Sequence, residues 1–117
     1  MNAAVKEQIA DQVTAGIYEA YPDLWERFGE RGYKHTKEDN HHHLDHLETA
    51  YELRQPQLFL EYTDWLETVL TSRNVETGLI IDNFGRLIDV IPGQTDPDEE
   101  SFMISCLQDA VRKLERP

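Results

Sequence analysis

Apolar side chains recur every three to four residues along nearly the whole chain, the spacing of one buried face of an α-helix. Val5, Ile9, Val13 and Ile17 step by four, with Ala10 and Ala20 beside them, and predict a helix over Ala3–Tyr18. Tyr21-Pro22 interrupts it, because a residue before proline avoids the helical region and proline suits the first turn of a new helix. Leu24, Trp25 and Phe28 then mark a short helix expected to end at Gly29, with Gly29 and Gly32 bracketing a GERG turn. A long helix is predicted from Tyr33 or Lys34 to Leu53, with Leu44, Leu47, Ala50 and Tyr51 inward. At 100° per residue Asn40 falls on that same face and His43 at its edge.

Pro56 opens the next helix, to about Arg73. Its Leu58, Phe59, Tyr62, Trp65, Leu66, Val69 and Leu70 read as a broad aromatic face in the middle of the core. Asn74 is placed to cap either neighbour. A further helix is predicted over Val75–Ile91, with Leu79, Ile80, Phe84, Leu87, Ile88 and Ile91 on one stripe. Gly78 and Gly85, seven apart, suggest close approach of a neighbouring helix. The run IPGQTDPDEE breaks the pattern, and Asp96 followed by Pro97, Asp98, Glu99 and Glu100 is a helix start: a cap, a first-turn proline and acids at the positive end of the dipole. The last helix, Pro97–Leu114, turns Phe102, Met103, Cys106, Leu107, Ala110, Val111 and Leu114 inward. The expected fold is all-α: a single domain over 1–117, an antiparallel bundle of about five helices plus one short helix.

The charge narrows the partners. A net charge of −12 opposes direct binding to nucleic acid or anionic lipid and fits a basic protein partner or cations. The single cysteine, Cys106, excludes an internal disulfide and sits at core spacing. No apolar run approaches membrane-spanning length, and the polar, periodic N-terminal stretch lacks the apolar segment of a secretory signal, so a cytoplasmic location is expected.

Four of the five histidines, His41, His42, His43 and His46, lie in EDNHHHLDHL, the one cluster with candidate chemistry. Asp39 and His43 are four apart and His43 and His46 three apart, which sets all three on adjacent turns of one flank, within reach of a shared divalent metal. Glu61, Asp64 or Asp11 from another helix would have to complete such a site. The pair of inward-facing Glu-x-x-His motifs of di-iron bundles is absent; Glu38 and His41 have that spacing once, with His41 on the side of the helix opposite its buried face. The competing readings are adventitious capture of Ni²⁺ or Zn²⁺, a hydrogen-bonded His43 at the core edge, and clustered imidazoles that respond to pH. No phosphate-binding glycine loop, nucleophile elbow or basic aromatic patch is present, so catalysis is not expected.

YPDLWERFGERG, EDNHHHLDHL and QPQLFLEYTDWLETVLTSRNV, from Tyr21 to Val75, resemble a helical module found upstream of cobalamin-binding domains in bacterial regulators. The resemblance implies a helical regulatory module. It does not imply cobalamin binding, because the Asp-x-His-x-x-Gly corrinoid motif lies in the downstream domain and Asp45-His46 here lacks it. More faintly, 58–91, through LIDVI and IID, is similar to the C-terminal helical domain of the clock protein KaiA, a dimeric bundle that binds a partner peptide. The expected role is therefore a non-enzymatic regulatory or signalling module, homodimeric, acting on a protein partner in trans. Tyr62, Trp65 and Leu66 are the candidate contact surface. The alternative is a metal- or small-cofactor-binding protein using Asp39, His43 and His46.

Overall fold

Where this chain can start a helix, it does so with local chemistry. A computed structural model describes residues 1–116. In it Asn2 caps α1 (Ala3–Ala20), its side chain accepting from the Val5 amide at 2.8 Å. Pro22 precedes α2 (Asp23–Leu53) and Pro56 precedes α3 (Gln57–Ser72), each already helical in backbone. After α4 (Thr77–Val90), Asp96 caps α5 (Pro97–Leu114) by accepting from the Glu99 amide at 3.1 Å. The ends are equally local. Arg54 and Asn74 take left-handed backbone, with φ of 54° and 65°, and turn the chain out of α2 and α3.

The result is an all-α helical bundle, with no strand among the described residues. The core joins Ile9, Val13 and Ile17 of α1 to Leu44 and Leu47 of α2, Phe59 and Leu66 of α3, Phe84 and Leu87 of α4, and Met103 and Leu107 of α5. Helix α2 packs against α1, α3 and α5. Cys106 is buried, and burial raises its thiol to about 11, as expected of a packed residue. Of the described helices, none is long and apolar enough to cross a membrane.

Three expectations are corrected. The short helix, the GERG turn and the long helix are one continuous element bent at Gly29, whose φ of 64° and ψ of −162° no ordinary helical residue adopts. A single glycine absorbs the whole change of direction, so helix resumes at Glu30, before Gly32. Gly32 has a different role: a Cβ there would overlap Phe28 Cβ and come within 2.9 Å of the Tyr18 hydroxyl. Gly78 and Gly85 receive no close neighbour; space is open where each Cβ would stand. The third correction is Trp65, which is 59% exposed. Phe59, Tyr62, Thr63 and Leu66 fill the inward face of α3, and Trp65 lies roughly 120° round the helix from Phe59. Thr63 takes the inward place because its hydroxyl donates to the Phe59 carbonyl at 2.8 Å and hides its polarity.

Candidate functional site

A cavity of about 210 Å³ opens between α1, the N-terminal half of α2, the end of α3 and α4. Apolar side chains make most of its wall: Ile17 and Tyr18 from α1, Leu24 and Phe28 from α2, Leu70 from α3, Leu79 and Ile80 from α4. The bend at Gly29 supplies Leu24 and Phe28. The segment before the bend is held down by Arg27, whose guanidinium donates to the Asn74 carbonyl and the Glu76 carboxylate, both at 2.8 Å. Across the bend, Trp25 stacks on Tyr33 at 5.2 Å and meets Tyr18 edge-on at 4.8 Å. The lining residues that face solvent are His35 and Arg73.

The polar lining comes from Thr36, Asp39 and His43 of α2 and Asn83 of α4. Asn83 is already paired: its amide donates to Asn40 Oδ1 at 2.7 Å and accepts from Asn40 Nδ2 at 3.0 Å. This reciprocal pair ties α2 to α4 inside the core, where two lone amides would be expensive to desolvate. Asp39 is half-buried and has no hydrogen bond or ion pair with a described residue. Burial raises its pKa, against the opposing pull of His42, His35 and Arg73.

His43 is 2% exposed. Its Nδ1 lies 2.6 Å from the Tyr62 hydroxyl, and its ring meets Phe84 edge-on at 5.2 Å. Burial, aided by His42 and His46, pushes its pKa down to about 3, so the ring is neutral at physiological pH. Its Nε2 has no partner among the described residues. Every fully enclosed side-chain nitrogen or oxygen among them is hydrogen-bonded, so Nε2 is not fully enclosed, and His43 is one of the residues that line the cavity.

On the other side of His43, Tyr62 carries the site to the surface. His46 lies flat on the Tyr62 ring, centroids 3.8 Å apart and planes 16° from parallel. Trp65 stacks beside Tyr62 at 6.1 Å. Of the candidate contact residues Tyr62, Trp65 and Leu66, only Trp65 is available to a partner; Tyr62 and Leu66 are buried and serve as its base. The candidate ligands Asp39, His43 and His46 are not brought together. His43 points one nitrogen at Tyr62, His46 is spread on the tyrosine face, and Asp39 looks into the cavity. Among the described residues no three His, Cys, Asp or Glu side chains are grouped to hold a metal. Of the candidate donors on other helices, Asp64 pairs with Lys113 at 2.7 Å, Asp11 faces Lys37 at 3.5 Å, and Glu61 is exposed on α3.

The spacing of Asp39 and His43 marks one flank of α2 but not the void beside it. Leu24 and Phe28, across a glycine kink, and Asn83, on another helix, carry no sequence signal that joins them to that flank. No family model, curated protein or solved structure matches the chain.

Proposed function

We propose that this chain is a non-enzymatic regulatory or signalling module in the cytoplasm, with a small molecule held in the α1–α2–α4 cavity as its input and the Trp65 face as its output. The face is read by a protein partner in trans, in the simplest case a second copy of the chain. One observation carries the reading: His43 touches both ends. His43 lines the cavity with one nitrogen unpartnered, and its other nitrogen is bonded to Tyr62, the ring beside which the exposed Trp65 stacks. A ligand that engages His43 changes the group that positions Tyr62, so occupancy and surface are linked through two side chains. Apolar cavities with a few convergent polar groups are the usual form of small-molecule sites, and exposed tryptophans on a rigid base are the usual form of interface anchors. The site holds no activated nucleophile: Cys106 is buried in the core with its thiol raised to about 11. The likeness of 21–75 to helical modules of bacterial regulators supports the same class of role.

Sedimentation velocity over a range of concentrations, on untagged protein, tests the output. Association lost in Trp65→Ala supports a homodimer, and a monomer at every concentration removes it. Capture from the native cell with wild type and Trp65→Ala side by side then decides the partner in trans; a set of captured proteins that ignores the tryptophan would refute the contact surface.

A further inference from the structure

The cavity offers a patterned edge as well as a volume, and the choice of occupant rests on its being a ligand site. The pattern begins with the tautomer of His43. Among the described residues the Tyr62 hydroxyl has His43 Nδ1 as its partner at 2.6 Å. A buried hydroxyl proton needs an acceptor, so Tyr62 donates and Nδ1 accepts. The ring proton of the neutral imidazole is then on Nε2, which presents an N–H donor to the cavity. One turn back on α2, Asp39 presents an unpartnered carboxylate. Side chains four apart stand roughly 5–6 Å from one another at Cβ. From adjacent turns a donor and an acceptor can converge on one molecule, and together they complement a carbonyl oxygen adjacent to an N–H.

Most of the remaining wall is apolar, with Leu24, Phe28, Leu70 and Leu79 among its lining. A cavity of about 150 Å³ accommodates a benzene ring, so about 210 Å³ admits one ring and a small substituent. Charge selects further. A carboxylate would face Asp39 inside a molecule of net charge −12, and a pure cation would leave the His43 N–H without an acceptor.

We propose that the cavity takes a compact aromatic or heteroaromatic molecule bearing an amide-type edge, its carbonyl accepting from His43 Nε2 and its N–H donating to Asp39.

Benzamide, benzoate and benzamidine share one shape and differ only at this edge, and toluene fills the space without one. Calorimetric titration of the full chain with each is the experiment. Benzamide is expected to bind about tenfold tighter than benzoate or benzamidine, the discrimination of one well-made buried hydrogen bond. Asp39→Asn, which adds a donor and removes the charge, is expected to narrow the benzamide-to-benzoate ratio to about threefold or less. His43→Phe is expected to weaken benzamide about tenfold and to leave toluene binding in place. Because His43→Phe also deprives Tyr62 of its acceptor, the Asp39→Asn result stands as an independent measurement at a half-buried position with no hydrogen bond to lose. Benzoate or benzamidine binding tighter than benzamide overturns the assignment, with Arg73 the group to suspect in the first case. So does a benzamide affinity indifferent to both substitutions, or toluene binding without benzamide; in each of these the cavity remains a ligand site of another chemistry. Failure of all four probes, toluene included, overturns the reading of the cavity itself.

Discussion

Acid should unfold this protein partly through one imidazole. His43 has an ordinary pKa of 6.5 in the unfolded chain and about 3 in the fold, because burial excludes the charged form. The folded state resists the proton that the unfolded state accepts, so the stability associated with His43 is complete above pH 6.5 and is lost as pH falls toward 3. Linkage over that window gives a loss of about 2 kcal/mol between pH 7.5 and pH 5, rising to about 5 kcal/mol below pH 3. Carboxylates titrate in the same range, so the measurement is a difference. Gln at position 43 keeps an oxygen that can accept from Tyr62 and has no titrating proton. Urea unfolding of wild type and His43→Gln at pH 7.5, 6.5, 5.5 and 5 should show the wild-type advantage shrinking by about 2 kcal/mol across the series. His46, also lowered by burial and by His42, is common to both proteins and cancels. An advantage independent of pH would mean that His43 is not held neutral in the fold. An advantage that grows on acidification would mean that Asp39 pairs with a charged His43, contrary to a neutral ring bonded to Tyr62.

Three further outcomes are expected from the packing. Asn40→Ala leaves Asn83 without its partner inside the core and should destabilise by about 2–4 kcal/mol in chemical denaturation, whereas the double change to leucine should recover a large part of that loss; equal effects of single and double changes would refute the pairing. Gly32→Ala forces the methyl against Phe28 and Tyr18 and should lower stability by about 1–3 kcal/mol, while Gly78→Ala and Gly85→Ala, with open space around the new methyl, should each raise it by about 0.5–1 kcal/mol in thermal melts. Cys106, buried and with its thiol raised to about 11, should react with a thiol reagent only at the rate of opening of the fold, so labelling that tracks urea-induced unfolding is expected and rapid labelling of the native protein is not.

Periodicity along the chain determined most of the fold. The last helix, Pro97–Leu114, is legible to the residue because its start is written in adjacent positions: a capping aspartate, a first-turn proline and a run of acids. The proline starts at 22 and 56 and the inward Leu44, Leu47 and Ala50 are legible for the same reason, since hydrogen bonds and helical phase act over one or two turns. His43 as a core-edge residue is within reach of the 100° rule, as is buried Asn40. The same rule, centred on Phe59, moves Trp65 off the core; its aromatic character alone argues for the inward place that it does not take. What only tertiary structure decided is everything that depends on which helices are neighbours. Asn40 meets Asn83 across 43 residues. A single glycine bends α2 so that Leu24 and Phe28 line a cavity, and Tyr62 from α3 meets the Nδ1 of His43. Spacing within one helix states which side chains share a flank. It is silent on the partner that flank meets, because that partner is set by packing between segments far apart in sequence, and there the choice between a core histidine, a ligand-binding histidine and a metal ligand is made.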